Sequence, residues 1–397
     1  MAKSYRQNTS YSEIMADGKE DGEGEASSVN HGNTRLPFGL CERYGINLPS
    51  KATPRDAWNA LKGKGITPEQ VYVELDKKAN SASADKNSDA SASIERMVSD
   101  SRVVYSKRFT KERMLSEINA GNAEMRDVTV SLFNDDSFGY NSNERDTAYF
   151  PGFNKVCIRK SEEGGTENSP YTKGGTFYHE TWHAIDDNYG ERTRLSSDYV
   201  LSTGKTFNDT VKDECVTVNW TEVQQDISRE IDDYYANQGL DRQRIISDYQ
   251  KMKQRAEEIQ KEVQIQSGNW FEGYVARGDF EKQKENIKLK KDYSTVSEIP
   301  KTIQRTWGDL SDIYCGYTKG KHDLVKMGHT KSYWIKGGSS MRGIEAFAEC
   351  ASAKATNPEG WKVLKKYMPN LTAGFEEIYD ALRRGKIKSK GRPKYEP

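Results

Sequence analysis

One stretch decides the fold of this chain: residues 175–190, which read GTFYHETWHAIDDNYG. In it His179 and His183 stand four residues apart. On an α-helix this spacing places both imidazoles on one face, one turn from each other, where they can bind the same metal ion. The chain has 5 histidines in 397 residues, so two at this spacing are informative. The pattern predicts a metal-binding helix.

The neighbouring residues support the helix and add a proton acceptor. Glu180 follows the first histidine and would lie beside the open side of the metal, where it can take a proton from bound water. Thr176 is the expected N-cap after two glycines. Gly190 is the expected end of the helix, because glycine takes a left-handed conformation easily. The large apolar side chains are expected to face the core: Phe177, Trp182 and Ile185.

A third metal ligand must come from elsewhere, because a catalytic zinc ion normally has three protein ligands and a water molecule. Four residues are candidates by side-chain type: Asp186, Asp187, His322 and His329. A better candidate lies in residues 343–349, which read GIEAFAE. The apolar residues of this run, with acids at i and i+4, predict a buried helix that carries two carboxylates on one face.

These two carboxylates are expected to serve the metal. A buried carboxylate is costly unless it binds a metal or a partner, so we expect Glu345 to be the third ligand. Glu349, one turn further on, is expected to orient a ligand histidine by accepting a hydrogen bond from its ring N–H.

The HExxH pentad with a later glutamate on a second helix resembles the gluzincin metallopeptidases. Residues 179–187 and 345–349 are similar to the corresponding runs in the catalytic domain of anthrax lethal factor and its relatives. The metzincin pattern does not fit, because it requires Gly in place of Asp186 and His in place of Tyr189. The resemblance implies an α+β, zincin-like domain, in which a small mixed sheet lies over the HExxH helix and the Glu-bearing helix.

The same resemblance implies a function. Zn²⁺ would be held by His179, His183 and Glu345, and Glu180 would be the general base for hydrolysis of a protein or peptide substrate. The tetrahedral intermediate needs a further donor, and the candidates are Tyr333 and His329, with Tyr317 behind them. Asp186 is expected to buttress the site by bonding to backbone or to a basic residue.

A second resemblance concerns the origin of the chain. Residues 310–314, 328–334 and 345–349 are similar to the metallopeptidase-like tail domains of phage minor head proteins. This implies a location in the virion or the bacterial host cytoplasm, and phage head or capsid proteins as partners. Two alternatives to a virion-associated peptidase stay open: a structural minor head protein that uses the fold for docking without catalysis, and a toxin-like effector protease. The intact Glu180 favours activity, because a structural zinc site needs no general base.

The spacing between the two ligand helices predicts a large insertion. From His183 to Glu345 the chain runs 345 − 183 = 162 residues, far more than in compact gluzincins, so residues at about 191–300 are expected to loop out. Apolar residues at helical spacing over 219–235 and 241–266, with Asp241 as N-cap, predict an antiparallel helical hairpin there.

Strand patterns precede the metal-binding helix. Residues 127–133 alternate at period two, and 147–150 and 155–158 form a pair around a turn at 151–154. An edge strand near 147–158 could bind an extended peptide through main-chain hydrogen bonds.

The remaining segments complete the predicted organisation. Residues 1–35 are polar and expected to be disordered, and 79–93 read as a flexible linker. Between them, 36–78 predict a small helical docking unit with helices at 54–63 and 68–77. The peptidase-like domain is expected over 94–385 and ends in a helical pair at 358–384. A basic tail follows at 386–397, which could make a weak contact with nucleic acid.

Composition excludes several classes. With 60 basic and 60 acidic residues the net charge is zero, so strong nonspecific binding of nucleic acid is not expected of the whole chain. The 5 cysteines are scattered and contain no CxxC pair, which fits a reducing compartment rather than a disulfide scaffold. We expect no signal peptide and no membrane span, since no apolar run is long enough for either.

Overall fold

The structure is a computed structural model. It describes residues 15–16, 31–32, 41, 46, 48, 54–64, 90–107, 109–135, 138–143, 147–159, 165–166, 169–337 and 340–391. The chain divides into two compact units, Met1–Ala90 and Ser91–Pro397. The boundary falls within the segment 79–93, for which a linker is predicted.

The first unit contains two short strands and a helix in its described part. Strand β1 (Met15–Ala16) pairs antiparallel with β2 (His31–Gly32), so a strand pair lies in the segment predicted to be disordered. Helix α1 (Pro54–Lys62) confirms the helix predicted at 54–63. It buries Ala57 and Leu61 with Cys41 in a small apolar cluster. The helix predicted at 68–77 lies outside the described residues.

The second unit is mixed α+β and mostly helical. Its strands are β3 (Gly139–Asn143), β4 (Ala148–Phe150) and β5 (Lys155–Arg159). Residues 90–99 are helical, and the further helices are α2 (Lys111–Ile118), α3 (Ala123–Asp135), α4 (Gly175–Asn188), α5 (Leu195–Asp198), α6 (Phe207–Thr217), α7 (Trp220–Ala236), α8 (Arg242–Ser267), α9 (Trp270–Glu281), α10 (Lys284–Val296), α11 (Lys301–Tyr317), α12 (Lys331–Gly337), α13 (Met341–Thr356), α14 (Pro358–Tyr367) and α15 (Pro369–Arg383). None of the helices within the described ranges combines the length and apolar character that crossing a membrane requires.

The sheet is small and mixed. Its strand order is β3-β5-β4, with β3 parallel and β4 antiparallel to β5. Strands β4 and β5 confirm the pair predicted at 147–150 and 155–158. Between them Pro151–Phe153 form a 3-10 turn, and Asn154 takes a left-handed conformation with φ 48°. Strand β4 therefore lies at one edge of the sheet.

The strand predicted at 127–133 is wrong, because these residues belong to helix α3. Apolar residues do alternate here, at Val128, Val130 and Leu132, but Thr129 and Phe133 between and after them are buried as well. The alternation therefore does not separate a buried face from an exposed face, as it would in a strand at the surface. The helix start has a local cause. Asn122 accepts a hydrogen bond from the Met125 N–H at 3.0 Å through its side chain, as N-cap residues do.

Helix α4 packs along α13 at the centre of the unit. Its Trp182 ring is fully buried and lies 5.8 Å from Phe347 and 5.4 Å from Phe375, measured between ring centroids. The predicted N-cap is wrong: α4 begins at Gly175, with Gly174 as the N-cap at φ 74°. A Cβ atom on Gly174 would come within 2.6 Å of the Ala120 Cβ, so this close approach requires glycine.

Helix α4 ends at Asn188, and the segment after the C-terminal helices contacts this end. Gly190 follows α4 at φ 98°, in the left-handed conformation predicted for it. The predicted helical pair at 358–384 is confirmed by α14 and α15. Beyond α15, Lys390 donates from its Nζ to the Asp187 carbonyl at 2.8 Å. The described part of the basic tail therefore contacts the end of α4.

Part of the region predicted to loop out, residues 191–300, packs against the core instead. Helix α6 packs against α13 and α15, and its Phe207 ring lies 5.3 Å from Phe347. The helices predicted at 219–235 and 241–266 are confirmed as α7 and α8, and Asp241 caps α8 by accepting from the Arg244 N–H at 3.0 Å. The predicted hairpin partner is wrong, because α8 packs mainly against α9 and α10. The Tyr249 and Tyr293 rings stack there at 3.8 Å.

One polar cluster links α7 to α14. The Asp226 carboxylate accepts from the Lys366 Nζ at 2.7 Å and from the Tyr367 hydroxyl. These hydrogen bonds lower the pKa of Asp226 to about 2. A single ion pair with a partly exposed partner contributes little to the free energy of unfolding. This pair, however, connects helices whose bonded residues are 140 positions apart in sequence.

We expect Asp226→Asn to lower stability at neutral pH by roughly 1 kcal/mol. Because the folded pKa lies below the unfolded value of about 3.9, the contribution is fully present above about pH 4 and is lost as the pH falls toward 2. Thermal unfolding of both proteins across this range measures the effect, and the gap between their Tm values should close in acid. A gap that stays constant from neutral to acid pH would contradict this assignment.

Candidate metal centre and cleft

Helix α4 brings the two predicted histidines together. The Nε2 atoms of His179 and His183 lie 3.0 Å apart. The rings meet edge to face at 89°, with centroids 4.6 Å apart. The side chains are only 12% and 10% exposed, so bulk water does not surround the two nitrogens. The i, i+4 spacing thus produces the paired donors that the sequence predicts.

Helix α13 adds a carboxylate to the pair. Glu345 Oε2 lies 3.3 Å from the His179 Nε2 and 3.4 Å from the His183 Nε2. Glu345 is 1% exposed. Burial alone would raise its pKa, but the adjacent imidazoles of His183 and His179 hold the pKa well below its usual range. The predicted ligands His179, His183 and Glu345 therefore form one buried cluster.

This cluster fits a divalent cation. Glu345 Oε2 is buried without a hydrogen-bond partner in the described part of the chain, which is costly for a carboxylate oxygen unless a cation binds it. Ligand atoms about 2.0–2.1 Å from a tetrahedral zinc ion lie about 3.4 Å from one another. The observed separations of 3.0 to 3.4 Å are close to that spacing.

A chain of polar side chains supports His179 from behind. Glu349 Oε1 lies 3.5 Å from the His179 Nδ1, where the sequence predicts an orienting carboxylate. Burial and the neighbouring Asp309 raise the pKa of Glu349 well above its usual range, and the two carboxyl groups hydrogen bond to each other. Asp309 in turn accepts from the Asn357 Nδ2 at 2.8 Å. Asp309 was not predicted as a site residue.

The two predicted oxyanion donors have different positions. Tyr333 donates its hydroxyl to Glu345 Oε1, and its ring stacks on His329 at 4.2 Å. His329 lines the cleft beside the cluster, whereas Tyr333 is not among the described residues that line it. Tyr333 therefore contacts Glu345, a predicted metal ligand, whereas His329 faces the cleft.

Asp312 holds His329 in place. The Asp312 carboxylate accepts from the His329 backbone N–H at 2.8 Å and lies 3.0 Å from the ring Nδ1. Burial would lower the pKa of His329, but the hydrogen bond and charge of Asp312 override it and raise the pKa to about 9. His329 therefore carries a positive charge at neutral pH. Asp312 was not predicted as a site residue.

The other candidates lie outside the cluster. His322, a ligand candidate, is exposed, and Tyr317, the third candidate for the oxyanion donor, lines a separate pocket. Asp187 accepts from the Tyr149 hydroxyl at 2.7 Å. Asp186 accepts from the Ser196 N–H at 2.7 Å, and burial raises its pKa. Asp186 thus ties the end of α4 to α5.

Glu180 stands between the cleft and the sheet. It lines the cleft, and its Oε2 accepts from the Tyr149 N–H of edge strand β4 at 2.7 Å. Burial raises the pKa of Glu180 to about 7, although the charge of His179 opposes the rise. A carboxylate with this pKa can both accept and return a proton near neutral pH.

The cleft has a volume of about 320 Å³ and lies between α4, α11 and α13. It is also lined by Thr147, Pro170, Tyr171, Thr172, Met327 and Gly328. Helix α11 contributes Arg305, Asp309 and Asp312 at positions i, i+4 and i+7. The signal for these residues was available in the sequence, because acids at helical spacing among apolar residues mark a buried polar stripe in the same way as 345–349 do.

Comparisons with known proteins give no family. No family model, curated protein or solved structure matches the chain. What the site can do is therefore inferred from its donor atoms, burial and charges.

We expect the wild-type protein to bind about one divalent ion per chain, and Glu345→Ala to lose it, because two imidazoles alone leave the site one protein ligand short. Elemental analysis after dialysis measures the stoichiometry. The matched control is Glu359→Ala, which removes a glutamate with a 63% exposed side chain from α14. Equal metal content in Glu345→Ala and the control would contradict the ligand assignment.

Proposed function

We propose that the protein is a zinc-dependent peptidase with a zincin-like catalytic domain. The observation that carries the proposal is the convergence of two imidazole Nε2 atoms on Glu345 Oε2, for which the described residues provide no hydrogen bond, beside Glu180 at the edge of a cleft. Two histidines and one glutamate suit zinc better than magnesium or calcium, which prefer oxygen ligands alone. A zinc ion held there would lower the pKa of a water molecule and polarise the carbonyl of the substrate.

Glu180 moves the proton in this scheme. It is the carboxylate next to the first ligand histidine, and the Tyr149 N–H fixes one of its oxygens at 2.7 Å. Because burial raises its pKa to about 7, Glu180 can take a proton from the attacking water and pass it to the leaving amine.

His329 stabilises the negative charge that develops on the substrate. Its imidazole is positively charged next to Asp312, lines the cleft and belongs to a second group with Asp312 and Glu345 whose ligand atoms lie within 4.8 Å of one another. A fixed cation in a site of low dielectric stabilises an oxyanion without further reorganisation. Tyr333, bonded to Glu345, positions that carboxylate instead.

The sheet supplies a binding strand for the substrate. Strand β4 lies at the sheet edge and follows Thr147, which lines the cleft, although its Tyr149 N–H is already bonded to Glu180. An extended peptide that pairs with such an edge is held by main-chain hydrogen bonds, which do not depend on its sequence. A peptide bound between β4 and α11 would lie next to His179, His183 and Glu345, the proposed metal ligands.

We expect Glu180→Gln to lose hydrolysis of fluorescein-labelled casein by roughly 10²–10⁴-fold while it keeps the metal, because the amide cannot accept the proton. Fluorescence release and elemental analysis on the same sample separate the two effects. Full hydrolysis by Glu180→Gln would contradict a role as general base. Zinc-replete wild type without any hydrolysis of casein or of a mixed peptide library would sink the proposed function.

We expect His329→Ala to lower kcat by roughly 10²–10³-fold, as the loss of an oxyanion donor does. Asp312→Asn should lower kcat in the same direction but by less, because it weakens the charge on His329 without removing the ring. Both variants should keep the metal, so steady-state kinetics are read beside metal content. An unchanged kcat in His329→Ala would remove His329 from the mechanism.

A further inference from the structure

The cleft continues beyond the cluster of His179, His183 and Glu345 along one face of α11. Asp312 contacts His329 and Asp309 bonds to Glu349, whereas Arg305, a further turn toward the start of the helix, has neither neighbour. At about 1.5 Å per residue, Arg305 lies roughly 10 Å along the helix axis from Asp312. The cleft therefore has one end at the cluster and another at Arg305.

The charge of Arg305 is not neutralised by the residues that the structure describes. Its Nη2 donates to the main-chain carbonyls of Thr166 and Ser169, both at 2.8 Å. Its Nε is buried and has no acceptor in the same described ranges. The nearest carboxyl group on the helix face, that of Asp309, is already bonded to Asn357 and Glu349. Because a buried atom does not contact a ligand, the donor that Arg305 offers to a carboxylate in the cleft is its Nη1 group, for which the described residues provide no hydrogen-bond acceptor.

The surroundings of Arg305 favour an anion. Gly175 and Thr176, at the start of α4, line the same cleft. The α4 N-cap, Gly174, provides no side-chain cap, and the first turn contains no acidic residue, so the positive end of this helix adds to the field of Arg305. The cleft is also lined by the carboxyl groups of Glu180, Asp309, Asp312 and Glu349, but Asp309 and Glu349 bond to each other and Asp312 bonds to His329.

We infer that the Arg305 end of the cleft binds a carboxylate of the peptide substrate, and that Arg305 determines this specificity. The inference rests on the proposed peptidase function. The carboxylate belongs to a substrate residue near the cleaved bond, as an Asp or Glu side chain or as the free C-terminus, and the test below locates its position.

The test uses phosphinic peptides, in which the phosphinate replaces the cleaved bond and binds zinc without turnover. In a series with three alanines on each side, one position at a time carries Glu or its neutral counterpart Gln. A further pair ends in a free carboxylate or an amide. Calorimetry on the zinc-loaded full chain measures each Kd. We expect one Glu position, or the free C-terminus, to bind roughly tenfold tighter than its neutral counterpart.

Two variants locate the effect. Arg305→Gln should abolish the carboxylate preference and leave the affinity for neutral peptides nearly unchanged. Lys301→Gln, which removes an exposed charge from the same helix, should keep the preference. If Arg305 only tethers the Thr166 and Ser169 carbonyls, the variant will weaken all peptides equally, and that result overturns the inference. Equal Kd values for all charged and neutral pairs with zinc bound also overturn it, but leave the peptidase proposal intact. Loss of binding by every peptide would overturn both.

Discussion

The rest of this structure depends on the burial of one carboxylate, Glu345, between two imidazoles. At 1% exposure it has lost its hydration, and an ionised group in that environment is stable only if opposite charges or donors surround it. Helices α4 and α13 must therefore approach closely and in one register. The Ser352 hydroxyl of α13 fixes this approach by donating to the Gly175 carbonyl at 3.0 Å, and the Trp182 ring fills the core behind.

Helix α11 supplies the polar groups that α4 and α13 lack. Its Asp309 bonds to Glu349, and its Asp312 holds His329, so the groups behind the cluster of His179, His183 and Glu345 are satisfied from one helix. Networks of this kind rigidify a site, because removing one member leaves another buried and unpaired. The apolar face of the same helix, with Trp307 and Leu310, anchors it in the core. Site geometry and core packing are thus coupled through α11.

Much of the fold could be predicted from local patterns. Helices α7, α8, α14 and α15 follow their apolar spacing and caps, and β4 and β5 follow their turn. The errors have physical causes. Residues 127–133 alternate like a strand, but a side-chain cap at Asn122 and apolar neighbours on both faces make them helical. The partner of α8 was wrong because its apolar stripe does not specify which helix covers it. Glycine replaced threonine as the cap of α4 because of an approach by Ala120, which is distant in sequence.

By itself the sequence determined the donor types and their local spacing: the paired imidazoles of α4, the glutamate between them and the i, i+4 acids of α13. These follow from helix periodicity, which needs only neighbours in the chain. Only the tertiary structure decided which acids meet which histidines. Asp312 reaches His329 and Asp309 reaches Glu349 because α11 crosses α13, and Arg305 faces the cleft for the same reason. Such pairings depend on how packed helices lie against one another, and residue spacing within one helix carries no information about that.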